Sequence, residues 1–250
     1  MSEIVIVTGG SRGIGAATAR LLGAKGFSVV VNYSNSQAAA LEVVADVERA
    51  GGRAIAVKGD VGTEADVVHL FAETQRVFGT PTGLVNNAGI VGSRKRRIED
   101  MDVATMTEVM RINVIGALLC AREAAKCMST RHGGAGGVIV NVSSIGALTG
   151  SPFTFMDYAA SKGAMDTFNQ GLATELAAYG VRVNGVRPGL IDTDIHASAG
   201  MDDRVNKVGA KMPVGRAGSA LEVAEVIAFL LSPASSYVTG SMVNVSGGVR

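Results

Sequence analysis

Tyr158 and Lys162 stand four residues apart in Tyr158-Ala159-Ala160-Ser161-Lys162. On a helix, side chains at i and i+4 share a face and can share a site. A phenol is a poor acid or base at neutral pH, with a pKa near ~10. A fixed ammonium beside it favours the phenolate and lowers that pKa. A tyrosine so tuned can protonate a carbonyl oxygen or take a proton from an alcohol. The alternative is a Tyr and a Lys exposed on an ordinary helix, and the rest of the chain has to decide between the two.

A second stretch with chemical content is Thr8-Gly9-Gly10-Ser11-Arg12-Gly13-Ile14-Gly15. Glycines allow a tight turn and a close approach of backbone to a pyrophosphate. A helix opening at this point offers unpaired N–H groups and a partial positive charge to an anion. The spacing is G-x-x-x-G-x-G, so the G-x-G-x-x-G dinucleotide pattern is not met as written. A plain strand-to-helix turn is the competing reading.

Such residues work only if the chain folds to position them. Apolar, β-branched runs predict strands at Ile4–Val7, Ser28–Asn32, Ala54–Lys58, Gly83–Asn86, Gly137–Val142, Val181–Val186 and Met242–Val245. Helical patterns fall at about 13–25, 36–50, 64–78, 104–130, 157–179 and 219–231. The alternation implies an α/β chain with a doubly wound parallel sheet of seven strands and helices on both faces. No linker or composition shift divides residues 1–250, so one domain is expected. The stretch Gly133–Gly137 reads as a loop before strand five, and 189–215 does not fit the alternation.

Composition narrows the function classes. The chain has 250 residues, 47% hydrophobic and 18% charged, enough for one sizeable core. A formal net charge of +1 gives no argument for nucleic acid. Met1-Ser2-Glu3 runs directly into an apolar strand, and no uninterrupted apolar run nears the ~18 residues of a membrane span. Cys120 and Cys127, seven residues apart on a predicted helix, would have Cα atoms ~10 Å apart, too far to bridge. A reduced, cytoplasmic chain is expected. His69, His132 and His196 match no metal-ligand spacing, and no metal is expected.

Two more stretches, Asn86-Asn87-Ala88-Gly89 and Pro188-Gly189, join Thr8–Gly15 and Tyr158-xxx-Lys162 in order. Together they resemble a short-chain dehydrogenase/reductase over essentially the whole chain. The likeness is greatest to a bacterial subgroup labelled sugar dehydrogenase-like, with 3-oxoacyl-acyl-carrier-protein reductases nearby. The resemblance implies a single-domain Rossmann fold. It implies that Gly9, Ser11, Arg12, Gly13, Ile14 and Gly15 cradle the cofactor phosphates, and that Asn87, Ala88 and Gly89 contact the cofactor. It also gives Asp60 the adenine amine, with the Val61 N–H contributing, although a turn-capping Asp reads as well.

Strand two ends in Asn32-Tyr33-Ser34, without the carboxylate that usually bonds the ribose of NAD. Arg12 can bond a 2′-phosphate in a bidentate manner. In similar family members this combination marks NADP(H). The resemblance places the catalytic serine about a dozen residues before the tyrosine. Ser144, fourteen residues before Tyr158, fits with a one-residue loop insertion, and Ser143 is the fallback. Asn113 would hold a water connecting Lys162 to solvent. Pro188-Gly189 would turn beside the nicotinamide, with Ile191 and Thr193 on its carboxamide and phosphates. Residues 192–212, with His196, Met201 and Met212, would cover the substrate.

The leading reading is an NADP(H)-dependent oxidoreductase acting on a small carbonyl or alcohol. Tyr158 serves as general acid/base, Ser144 orients the oxygen, and Lys162 tunes the phenol and bonds the cofactor ribose. A second enzyme reading is a 3-oxoacyl-acyl-carrier-protein reductase, with the basic run Arg94–Arg97 attracting an acidic carrier; a solvated loop is the plainer account of that run. A different class is a catalytically idle dinucleotide-binding regulator on the same fold. Ala117, Leu118, Phe168 and Leu172 lie beyond one core-facing stripe, and the C-terminal strand resembles that of tetrameric relatives, so a homotetramer is expected.

Overall fold

Residues 3–92, 97–193 and 208–249 are described by a computed structural model of the chain. Seven parallel strands form one sheet: β1 Ile4–Val7, β2 Ser28–Tyr33, β3 Arg53–Lys58, β4 Gly83–Asn86, β5 Gly137–Val142, β6 Val181–Pro188 and, last in the chain, β9 Met242–Val245. Their spatial order is β3-β2-β1-β4-β5-β6-β9. A separate two-residue ladder pairs β7 (Ile191–Asp192) with β8 (Gly218–Ser219).

The strands show why they were legible. A parallel strand covered on both faces is apolar at every position, and successive side chains feed opposite layers. Val5, Val7, Val29, Val31, Val138 and Val140 enter one core layer, while Ile6, Val30, Leu84 and Ile139 enter the other. The first layer meets Leu22 of α1 (Gly13–Ala24), Val43 and Val47 of α2 (Gln37–Arg49) and Ile227 of α8 (Ala220–Leu231). The second meets Leu70 and Phe71 of α3 (Glu64–Val77), Ala124 and Met128 of α5 (Ala117–Met128) and Leu176 of α7 (Met156–Ala177).

The expected fourth helix, 104–130, is three pieces: α4 (Val103–Met110), a π-helical segment (Arg111–Gly116) and α5, which ends at Met128. Its 18-residue window of highest mean hydropathy reaches 1.4, so by length and composition alone Val103–Met128 could cross a membrane. It packs instead on β4, α3 and α7. Of the residues expected to form an outer apolar stripe, Ala117 is buried, and Phe168 and Leu172 pack at the edge of the core. The exposed apolar side chains of this helical run are Val103, Met110 and Ile115. A short helix, α6 (Gly146–Thr149), follows β5 and was not anticipated. In the irregular stretch, 194–207 lies outside the described residues, and with it His196 and Met201. Arg94, Lys95 and Arg96 also lie outside them.

Strand order reverses between the β2 and β5 sides of the pair β1–β4. In open α/β sheets, ligands bind in the crevice beyond the strands' C-terminal ends at such a point.

Candidate active site

A cleft of about 700 Å³ opens at that point. One end is built by the loop from β1 into α1, where Gly9, Ser11, Arg12, Gly13 and Ile14 form the wall. Hydrogen bonds from neighbouring strand ends hold this loop. The Asn87 side-chain amide donates to the carbonyls of Thr8 (2.9 Å) and Gly9 (3.0 Å). The Thr8 hydroxyl accepts from the N–H groups of Asn87 and Ala88. The N–H of Gly10 donates to the Asn32 carbonyl (2.8 Å), and that of Gly9 to Asn32 Oδ1 (3.3 Å). Gly9 has φ +60°, and an added Cβ there would press on Ala88.

The opening of α1 fits an anion. No side chain caps it, and its first turn carries no acidic residue. Its first N–H groups, which have no partner within the helix, thus have no side-chain cap either at the cleft wall, where the helix dipole favours negative charge. Arg12 is exposed and has no ion-pair partner among the described residues. The chain thus offers a dinucleotide's phosphates backbone donors and one guanidinium.

The other end carries Ser144, Tyr158 and Lys162. Tyr158 and Lys162 lie on α7, and Ser144 just beyond β5, as the strand–helix alternation requires. Ser144 and the Tyr158 phenol line the same end of the cleft, and the serine hydroxyl favours the phenolate. Ser144 Oγ also accepts from the Gly146 N–H (3.0 Å), which α6 presents. Ser143, buried, turns the other way: its hydroxyl lies 2.6 Å from Asp166 Oδ1 and 3.1 Å from the Lys162 carbonyl. Of the two serines, Ser144 is thus the one that meets the phenol.

The electrostatics depart from the sequence expectation. Burial pushes the Tyr158 phenol up, and the Ser144 hydroxyl only partly offsets it. The Lys162 ammonium donates to the Val142 carbonyl (2.7 Å) and stands 5.6 Å from the centre of the tyrosine ring. Burial lowers Lys162 to about 8, against a raising effect from Asp166. Desolvation disfavours the charged form of both groups, so the phenol lies above its usual value, against the expected lowering. At neutral pH the chain's own groups hold Tyr158 protonated, as a proton donor must be.

Asn113 does not line the cleft. Its side chain is buried in the π-helical segment, where Oδ1 accepts from the Ile90 N–H (2.8 Å). Its amide donates to the Ile90 carbonyl (2.9 Å) and to Ser161 Oγ (3.0 Å). It clips the chain after β4 to α7, beside the floor formed by Gly89. π-turns of this kind recur at functional sites.

The remaining expected residues divide. Asn87, Ala88, Gly89, Pro188, Gly189, Ile191 and Thr193 line the cleft, and so does Met212. Gly15, Asn32, Tyr33, Ser34, Asp60 and Val61 do not. Gly15 packs under the glycine loop, where a Cβ would meet the Gly9 carbonyl and the Asn87 amide. The Asn32 side-chain amide donates to the Gly59 carbonyl (2.9 Å), and Tyr33 is buried in the core, leaving Ser34 as the exposed member of the three. Asp60 accepts from the Gly62 N–H (2.9 Å) and from Arg111 (2.7 Å), the turn-capping alternative. Burial works against its charge, but those bonds prevail and hold the carboxyl below its usual range. Val61 is buried against Gly116. Arg97 pairs with Glu99 and stands over the exposed ring of Phe153, 5.6 Å away.

Sequence reasoning missed the apolar wall, including Val91, Phe155 and Leu190. It also missed Asp166, which bonds Ser143 and Arg187 behind Lys162. The available signal was the spacing: 158, 162 and 166 fall on one helix face.

A family profile described as enoyl-(acyl carrier protein) reductase matches residues 9–250. The chain is 47% identical to an uncharacterized oxidoreductase, YgfF, of Escherichia coli (strain K12), over 98% of this chain and 99% of that protein. It is 38% identical to a 3-oxoacyl-[acyl-carrier-protein] reductase of Synechocystis sp., over 99% and 97% of the two. A crystal structure of a short-chain type dehydrogenase/reductase from Mycobacterium marinum superposes with a TM-score of 0.92 at 30% identity, covering 99% of this chain and 95% of that one.

Proposed function

The chain belongs to the short-chain dehydrogenase/reductase family of oxidoreductases, and from that premise we propose that it is an NADP(H)-dependent carbonyl reductase or alcohol dehydrogenase with a small substrate. The observation that carries this reading is the convergence of Ser144, Tyr158 and Lys162 at one end of a cleft whose other end is the uncapped opening of α1. A nicotinamide dinucleotide bound along that cleft would supply or take up the hydride.

The chain's own work is to place and move a proton. Ser144 and Tyr158 offer two O–H donors to one substrate oxygen, which fixes the carbonyl and stabilises the charge that develops on it. Tyr158, kept protonated by burial, hands its proton to the forming alkoxide. The Lys162 ammonium, anchored on the Val142 carbonyl, stabilises the phenolate left behind. Asn113 and a water would resupply the proton. The glycine loop, Asn87–Gly89 and Pro188–Thr193 would hold the cofactor, and Arg12 would pair with a 2′-phosphate. In the reverse direction Tyr158 must lose its proton first.

A panel of ketones, sugars and acyl thioesters, followed by NADPH absorbance, tests the reading. Consumption is expected with some carbonyls, and about 10²–10⁴-fold slower consumption with Tyr158→Phe. NADPH binding without turnover across the whole panel would favour the idle-regulator alternative. The carrier-protein alternative is supported by the Synechocystis relative's name; it predicts strongly salt-dependent kinetics. Assembly as a homotetramer fits the exposed Val103, Met110 and Ile115. Light scattering that finds a stable monomer at micromolar concentration would overturn it.

A further inference from the structure

Behind the proposed catalytic groups sits one carboxylate that their chemistry does not use. Asp166 is on α7, four residues after Lys162, and faces the ends of two strands at once. Through Oδ1 it accepts from the Ser143 hydroxyl at the end of β5 (2.6 Å). Through Oδ2 it accepts from Arg187 Nε at the end of β6 (2.8 Å). Both members of that ion pair are largely buried, at 17% and 15% exposure for Arg187 and Asp166. A charge pair so enclosed is geometrically demanding, and losing one partner leaves the other uncompensated.

The neighbours of its partners give the carboxylate its meaning. Ser143 immediately precedes Ser144, and Arg187 immediately precedes Pro188-Gly189 at the cleft wall. One side chain therefore ties the Tyr–Lys helix to the strand end bearing the serine and to the strand end bearing the turn. Resting on the oxidoreductase reading above, we propose that Asp166 is a positioning residue: it locks Ser144 and the Pro188–Gly189 turn in register with Tyr158, and places a negative charge behind Lys162.

The groups that face the Lys162 amine bear this out. On α7 itself they are Tyr158 and Asp166, with Arg187 of β6 behind the latter. β5 supplies the Val142 carbonyl, the π segment the neutral Asn113, and the β4 loop Gly89. Among these described neighbours the only carboxylate is that of Asp166, and it opposes the loss of charge that burial imposes on the amine.

The test separates position from mere ion pairing. Asp166→Asn alone leaves Arg187 unpaired, so Asp166→Asn/Arg187→Gln is its partner variant, with both charges removed. The proposal expects the double variant to recover the melting temperature. It should still lose about tenfold or more in kcat with little change in the KM for cofactor, as a misplaced site does. Wild-type kcat in the double variant, once stability returns, would overturn the proposal. A readout independent of substrate is competitive acetylation of Lys162 across pH, read by peptide mass spectrometry. Its midpoint should fall by about one pH unit in Asp166→Asn, and an unmoved midpoint would refute the electrostatic part. If wild type reduces no carbonyl, the oxidoreductase reading fails separately, while the labelling result still decides whether Asp166 acts on Lys162.

Discussion

The two ends of the cleft are built from different materials. At the glycine-loop end the exposed surface is largely main chain, and side chains serve to hold it: Asn87 and Asn32 bond backbone groups of the loop, and Thr8 bonds the N–H groups that follow β4. At the Tyr–Lys end the working atoms are ionisable side chains, and backbone serves to hold them: the Val142 carbonyl anchors Lys162 and the Gly146 N–H anchors Ser144. On the proposed reading the first end, Arg12 apart, should be sensitive to added bulk, and the second to a change of chemistry even when shape is kept.

That contrast is open to attack. The largest expected effect is at the second end: Tyr158→Phe preserves shape and removes one proton, and turnover should fall by about 10²–10⁴. Dinucleotide affinity, read by fluorescence titration, should hold; turnover within a few-fold of wild type would erase the distinction. At the first end Gly15→Ala adds one methyl where the Gly9 carbonyl and Asn87 amide already sit. Overpacking of this kind costs ~1–3 kcal/mol. A lower melting temperature and weaker dinucleotide binding are expected, with kcat at saturating cofactor near wild type.

Arg12→Ala probes the one ionic element of the first end. A charge-assisted contact is worth about 1.5–3 kcal/mol, discounted here because Arg12 is exposed. NADPH should weaken about tenfold and NADH hardly at all, a gap that shrinks as salt rises. Ser34→Asp is the matching change just beyond β2, because Tyr33 is buried and Tyr33→Asp would damage the core instead. Equal wild-type affinities for NADPH and NADH at low salt would remove the assignment. The smallest effect is in pH. Lys162, lowered to about 8, is charged below that value and neutral above it. Carbonyl reduction should therefore hold through neutral pH and decline by roughly half as pH rises through about 8. Alcohol oxidation, which needs the phenolate, should instead climb with pH.

The strands were legible because both their faces are buried, and an unbroken apolar run such as Val29–Val31 or Val138–Val140 leaves little room for another assignment. The four motifs were legible because local rules force them: small residues where backbone must approach, and i, i+4 spacing where two groups must meet. The rest depended on partners remote in sequence. Nothing near Asp60 announces Arg111, 51 residues away. Nothing in Tyr33 says that its ring enters the core, or in Asp166 that β5 and β6 end beside it. The sign of the Tyr158 shift was missed for the same reason: pairing with Lys162 can be read from spacing, whereas desolvation belongs to the folded environment. The π-helical turn around Asn113 also escaped, since a 3.6-residue pattern continues through it.

The buried amine also has a thermodynamic side. Folding moves Lys162 from an ordinary value of 10.5 to about 8, so between those limits the unfolded chain binds more protons than the folded one. Stability from this group therefore rises with pH across that window, and at neutral pH its full penalty of ~3 kcal/mol is present. On the proposed mechanism this burden is a trade-off between stability and activity. Lys162→Met, which keeps the apolar stem and discards the charge, should melt at a higher temperature than wild type at pH 7 and reduce no substrate. The gap in melting temperature between the two should narrow as the buffer is taken above pH 9.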